Sequence, residues 1–259
     1  MSNQLSNSYV LITGASSGIG AEFARAYASE GYSLVLTARR EQALAAVADE
    51  VRSRYGVQAE ILLADLGRQE DVQKVVERLR SQDAPVEVLI NNAGFGLGSS
   101  FHQATTQKHL HQVDILARVP LQLMHTAIET MLPRRRGKII NVASVAAFTP
   151  GGTYSAVKRF LVSLSQSANA QYSKDGLLIT AVCPGLTRSD FHQNMGQSEP
   201  NLPRFFWLSP EKVVADAIAA NNDGRAVCVP SAPYKVLVAL SRILPSKVSA
   251  RAIQSTRDY

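Results

Sequence analysis

Tyr154 and Lys158 stand four residues apart in the stretch Thr153-Tyr154-Ser155-Ala156-Val157-Lys158, a spacing that sets two side chains on one face of a helix. The surroundings predict that helix. Gly151-Gly152 break the chain before it, and Phe160, Leu161, Leu164 and Ala168 follow at helical intervals. A free tyrosine, with a pKa of about 10, is a poor acid or base at neutral pH. A neighbouring ammonium favours the phenolate and lowers that pKa. Bringing it near 7 takes about 3 units, or about 4 kcal/mol of differential interaction. One charge in water cannot supply this, whereas a dry site beside a cationic ring could. Alone, the pair fits an ordinary half-exposed helix face equally well, so its meaning depends on what surrounds it.

Several strand–turn–helix units precede that helix. The apolar run Tyr9 to Ile12 reads as a buried parallel strand and leads into Thr13-Gly14-Ala15-Ser16-Ser17-Gly18-Ile19-Gly20. Phe23, Ala24, Tyr27 and Ala28 then recur at helical spacing. Glycines in that position bring backbone close to a ligand, and the helix start offers unpaired N–H groups to a pyrophosphate. The spacing G-x-x-x-G-x-G differs from the standard dinucleotide fingerprint G-x-G-x-x-G. Ser33 to Thr37 is a second strand, followed by Ala38-Arg39-Arg40. An acid at this strand end binds a ribose 2′-hydroxyl, while arginines accommodate a 2′-phosphate. Arg39 and Arg40 therefore favour NADP over NAD; the alternative is two solvated residues opening the next helix.

Strands are further expected at Ala59–Leu63, Val86–Ile90, Lys138–Val142 and Leu177–Val182, with a seventh at Arg225–Val229. Amphipathic helices alternate with them, including Leu44 to Val51, Val72 to Leu79 and Pro210 to Ala220. A long helical region from about Thr105 to Met131 contains Pro120, where a kink or interruption is expected. The alternation predicts an α/β, doubly wound parallel sheet of about seven strands in a single domain spanning 1–259, with ligands at the carboxyl ends of the strands. Residues 186–208 have little periodicity and hold Phe191, Met195, Phe205, Phe206 and Trp207, the pattern of a lid with an apolar substrate wall or of a loop packed down by its aromatics. A C-terminal amphipathic helix is expected over about 233–254. Its stripe Val236, Leu237, Leu240, Ile243 and Leu244 suits packing on the core or on a second subunit, or contact with a membrane or lipid-like substrate.

Composition bounds the partners. The 259 residues are 46% hydrophobic and 19% charged, a globular balance with no linker, repeat or low-complexity tract. The polar start Met1 to Asn7 carries no secretory pattern and reads as frayed, and no stretch reads as a membrane span. Two cysteines, Cys183 and Cys228, suit a reducing, cytoplasmic setting better than a disulfide framework. The net charge of +6 suits attraction of a phosphorylated cofactor or anionic substrate, and the one dense basic cluster, Arg134-Arg135-Arg136, is too small to suggest nucleic acid. His109 and His111 diverge on a helix and lack paired acids, so no metal site is expected.

Taken in order, these motifs resemble the short-chain dehydrogenase/reductase family over nearly the whole chain, with its Rossmann-type fold. Gly14, Ser16, Ser17, Gly18, Ile19 and Gly20 resemble its cofactor-phosphate turn, Asp65 its adenine-contacting acid, and Asn91-Asn92-Ala93-Gly94 its strand-four motif. Tyr154 to Lys158 is similar to its YxxxK, and Pro184-Gly185 with Thr187 to its nicotinamide-side turn. The resemblance implies that Tyr154 exchanges a proton with the reacting oxygen, that Lys158 lowers its pKa and holds the nicotinamide ribose, and that Ser144 hydrogen-bonds that oxygen. The cofactor carries the hydride. Two positions differ from the family pattern. Asp114 stands where the family has an Asn holding a water linked to the lysine, and the interval of 10 from Ser144 to Tyr154 is shorter than usual. The shorter loop is expected to pull Ser144 differently or to reshape the pocket. The expected function is therefore an NADP-dependent oxidoreductase acting on a fairly apolar carbonyl or alcohol, as a homo-oligomer. A cofactor-binding sensor or scaffold without turnover is the alternative. A nucleotide-sugar epimerase or dehydratase fits less well, since little chain follows Pro184 to build a substrate domain.

Overall fold

A computed structural model describes residues 8–188 and 203–243. Strands β1 (Tyr9–Thr13), β2 (Ser33–Ala38), β3 (Ala59–Leu63), β4 (Val86–Asn91), β5 (Gly137–Val142), β6 (Leu177–Val182) and β7 (Val227–Cys228) form one sheet in the order β3-β2-β1-β4-β5-β6-β7. Every pairing is parallel. The helices are α1 (Gly18–Ser29), α2 (Glu41–Tyr55), α3 (Gln69–Arg80), α4 (Thr106–Val113), α5 (Val119–Met131), α6 (Gly152–Tyr172), α7 (Pro210–Asn222) and α8 (Ala232–Ile243).

Alternation along each strand feeds two apolar layers. Val10, Ile12, Leu34, Leu36, Val88 and Ile90 pack on one face against Phe23 and Tyr27 of α1, Leu44 of α2 and Val213 of α7. Leu11, Val35 and Leu89 pack on the other against Val72 of α3, Leu123 of α5 and Ala168 of α6. Each fully buried Leu, Ile or Val contributes roughly 1.5–3 kcal/mol of transfer free energy, so neither helical layer is dispensable. Strand order reverses between β1 and β4, and doubly wound sheets bind ligands at the carboxyl ends of the strands beside such a reversal.

One expectation needs correction. The seventh strand shrinks to Val227–Cys228, because only these residues extend alongside Ala181 and Val182 at the end of β6. The expected interruption of the long helix falls just before Pro120: α4 and α5 are joined by a π turn at Asp114–Arg118, in which Val119 N–H donates to Asp114 O. On α8, Tyr234 and Val238 form the inner face, while Val236, Leu237 and Leu240 of the apolar stripe are exposed, a face free for a second subunit or a membrane. Residues 1–7, residues 189–202 with Phe191 and Met195, and residues 244–259 with Leu244 lie outside the described residues, as does the side chain of Phe205.

Candidate active site

Thr13 and Asn92 build the crevice from two strand ends. The Thr13 hydroxyl, buried at the end of β1, donates to Ile90 O (3.2 Å) and accepts from Asn92 N–H (2.9 Å) and Ala93 N–H (3.0 Å). Asn92 in turn donates through Nδ2 to Thr13 O (2.9 Å) and Gly14 O (3.1 Å). The glycine turn is thus clamped to β4 at close range. A Cβ on Gly20 would lie 2.2 Å from Gly14 O and 2.5 Å from Asn92 Nδ2, and Gly14 itself sits at φ +66° against Ala93. Gly18, at φ +55°, is the first residue of α1, whose N-cap Ser17 makes no side-chain cap. Arg40 Nη2 donates to Ser17 Oγ (3.0 Å) and Ser16 Oγ (3.4 Å), which brings a guanidinium over this helix start. Arg39 is exposed beside it, and Ile19 packs on the core below. A tight backbone cradle, an open helix N-terminus and adjacent guanidinium charge suit a dinucleotide pyrophosphate and a further phosphate.

Asp65 lies beyond β3, where its Oδ1 accepts from Gly67 N–H (3.0 Å). His111 of α4 covers this loop so closely that a Cβ on Gly67 would lie 2.6 Å from its ring, and it also packs on Phe95. Gly94, after β4, reaches α6: its Cβ position is 3.6 Å from Lys158 Nζ.

Tyr154 and Lys158 share one face of α6, with Lys158 Nζ 5.6 Å from the centre of the Tyr154 ring. Lys158 is buried, and its ammonium donates to Val142 O (2.7 Å) at the end of β5. Burial pulls its pKa down to about 8, against a smaller opposing effect of Cys183. Burial also pushes Tyr154 up to about 12, while a hydrogen bond from Ser144 acts in the opposite direction. Ser144 therefore reaches the Tyr154 hydroxyl despite the short interval. The intervening residues are taken up by a 3-10 turn, Val145–Phe148, whose first N–H groups are satisfied locally; Ser144 Oγ accepts from Ala146 N–H (3.1 Å). Cys183, buried at the end of β6, is held protonated with its pKa pushed up to about 12 by burial, so it is no nucleophile here.

Asp114 does not join this group. Its carboxylate accepts from Arg118 Nε (2.7 Å) in a half-exposed pair, and the same guanidinium holds Gln69. The π turn presents Ile115 and Leu116 to Val157 and Tyr154 instead. The π turn thus sets the Asp114 side chain on Arg118, half-exposed, rather than beside Lys158.

Other contacts carried no sequence signal. His109 of α4 bonds Phe101 O through Nε2 (2.9 Å) and Thr153 Oγ1 through Nδ1 (2.7 Å). A carbonyl only accepts, so Nε2 carries the proton and Nδ1 accepts from Thr153. The residue preceding Tyr154 is thereby fastened to α4. Pro184 O accepts from Val145 N–H (3.0 Å), which joins the Pro184-Gly185 turn to the Ser144 loop, and Thr187 Oγ1 donates to Gly185 O (3.1 Å).

A parallel sheet with its ligand crevice at a strand-order reversal, bordered by a serine, tyrosine and lysine, defines a nucleotide-binding oxidoreductase of CH–OH and C=O groups. The family model for short chain dehydrogenase matches residues 8–200, and the chain belongs to the short-chain dehydrogenase/reductase family. It is similar, at 33% identity and a TM-score of 0.82 over 90% of this chain and 93% of the other, to a short-chain dehydrogenase from Sphingobium yanoikuyae solved in complex with NADPH. A bulky-bulky ketone specific alcohol dehydrogenase from Comamonas testosteroni is 31% identical, with a TM-score of 0.78 over 90% of this chain and 91% of its own. Sulfoacetaldehyde reductase 2 of Chromohalobacter salexigens is 32% identical over 187 residues, 70% of this chain and 73% of its own.

Proposed function

We propose that this protein interconverts a fairly apolar carbonyl and its alcohol with NADP(H), using Tyr154 as general acid and base. The observation that carries the reading is the group Ser144, Tyr154 and Lys158, hydrogen-bonded or stacked in one part-buried site with the lysine innermost. When bound, the nicotinamide supplies the hydride to the carbonyl carbon, or takes it up in the reverse direction. Ser144 donates a hydrogen bond to the reacting oxygen, and Tyr154 gives that oxygen its proton as the hydride arrives at carbon. The protonated Lys158 stabilises the phenolate left behind and holds the ribose. Gly14, Ser16, Ser17, Gly18, Ile19 and Gly20 would hold the pyrophosphate, Asp65 the adenine, Asn92 to Gly94 and Pro184, Gly185 and Thr187 the nicotinamide side.

Arg40 on the glycine turn, with Arg39 next to it, supports NADP over NAD. The relative specific for bulky-bulky ketones supports a bulky carbonyl substrate. Two free, buried cysteines support a reducing, cytoplasmic location, and among the described residues no helix is long and apolar enough to cross a membrane. The outward apolar face of α8 is where a peripheral membrane contact could form.

The test is purified protein with NADPH and a carbonyl panel that includes bulky ketones. Absorbance at 340 nm should fall, and Tyr154→Phe should abolish the loss. Tight NADPH binding with no turnover across the panel would instead make the protein a cofactor-binding sensor.

A further inference from the structure

We propose that Tyr234, on α8 and remote in sequence from every motif above, is the positioning residue that holds the Pro184-Gly185 turn and both ends of the 186–208 segment at the nicotinamide side of the site. Its hydroxyl has two partners. It accepts from Leu186 N–H (3.0 Å) and donates to Phe206 O (2.9 Å), so one atom joins the residue leaving the turn to the residue returning from the segment. Its ring lies against Gly185, where a Cβ would come within 2.0 Å of ring carbon, and it meets the Phe206 ring edge-on at 6.0 Å. The other side of Leu186 is engaged as well: Leu186 O accepts from Leu208 N–H (2.8 Å), and Arg188 N–H donates to Leu208 O (3.0 Å). The two chain ends thus pair as a short parallel bridge, Thr187 with Leu208, and Tyr234 closes it from below.

The turn before this bridge is fixed to the Ser144 loop through Val145 N–H and Pro184 O. A continuous run of bonds therefore leads from the Ser144 loop through the turn to α8. The residue before α8, Ser231, has φ +146°, a region L residues rarely adopt, and such strain persists only where the surroundings over-determine it. Tyr234 itself is buried, and both hydrogen bonds of its hydroxyl run to backbone groups. Its removal would leave Leu186 N–H and Phe206 O without this partner in a partly buried place, which weakens the turn more than it weakens the core.

The inference rests on the reading of Pro184-Gly185 as the nicotinamide-side turn, and the experiment separates the two. Tyr234→Phe keeps the ring and deletes the hydroxyl. In the full chain without cofactor, trypsin cleavage after Arg188 or Arg204 should become about tenfold faster. The Kd for NADPH and the KM for the carbonyl should rise about tenfold, with kcat changed less than KM. Gly185→Ala, which displaces the same ring instead, should move the same quantities in the same direction and serves if the first variant fails to fold. Unchanged cleavage and unchanged NADPH affinity in a folded variant would overturn the proposal. So would equal losses in kcat and thermal stability with KM unaltered, the pattern of a purely structural tyrosine. If the wild-type protein binds no nicotinamide nucleotide, the functional reading fails, and the cleavage rates still decide whether Tyr234 holds the segment.

Discussion

Tyr154 is held above its ordinary pKa, and Lys158 below it, by the same loss of water. The lysine alone therefore does not bring the tyrosine towards neutrality, although the spacing of the two is the one expected. The proton inventory gives a testable pH dependence. As pH rises, Lys158 loses its proton at about 8, well before Tyr154 at about 12. Below about 8 the ammonium is present to stabilise the phenolate formed when Tyr154 donates; above it that stabilisation is gone. The kcat/KM for reduction, which reports free-enzyme ionisations, should fall as pH passes through about 8. Lys158→Met should lower the plateau about 100-fold, as removal of one preorganised electrostatic stabiliser does, and erase this limb. A limb that persists in the variant assigns it elsewhere. Cofactor choice is also decided by single residues. A charge-assisted hydrogen bond is worth about 1.5–3 kcal/mol, so Arg39→Ala and Arg40→Ala should each raise the Kd for NADPH at least about tenfold. Titration with NADH should show little change; equal effects on the two nucleotides would remove the 2′-phosphate assignment.

At the scale of elements, the glycine turn is where local geometry is least forgiving. A Cβ on Gly20 would meet backbone oxygen and the Asn92 amide, neither of which is the free end of a flexible side chain. Gly20→Ala should cost about 1–3 kcal/mol in urea unfolding, as overpacking does, and should abolish NADPH binding measured by fluorescence titration. Wild-type stability in that variant would mean that the turn relaxes freely. This turn was legible in the sequence because strand, glycines and helix start are contiguous. Five of the six long strands were legible because burial on both faces demands apolar runs; β3, at the sheet edge, is largely exposed and was read from its short run Ile61-Leu62-Leu63 alone. What stayed hidden depends on contacts between distant segments. Arg225 to Val229 looked like a full strand, yet how much of it pairs is set by where β6 ends. Asp114 was placed by motif register, but nothing in the sequence marked the π turn that aims its side chain at Arg118. The interval from Ser144 to Tyr154 could be counted, whereas the compact turn that restores their contact could not. Tyr234 had no signal at all, because its partners are a backbone N–H, a backbone carbonyl and a glycine.

For the whole molecule, the surface left bare by the two helical layers argues for self-association. Leu110, Val113 and Leu121 are exposed along α4 and α5, and Phe160 is exposed on α6, one turn before Leu164. Leu121 and Leu164 line an open groove of about 570 Å³ between α3, α5 and α6, together with Met124, Ile128 and Tyr172. Apolar side chains on adjacent helices around one groove form the kind of surface that proteins cover with a partner, and the commonest closed assembly of identical chains is a two-fold dimer. A stable interface needs about 800 Å² per partner, a size that two facing helices with their flanks can reach. Light scattering coupled to gel filtration should therefore return a multiple of the 28.0 kDa chain mass. Leu121→Glu places an uncompensated carboxylate in the contact and should weaken association about 100-fold, shifting the species to 28.0 kDa at micromolar concentration. Leu237→Glu on the outward face of α8 serves as the comparison. Dissociation by that variant, with Leu121→Glu still associated, would move the interface to α8, and a wild-type mass of one chain would remove the oligomer altogether.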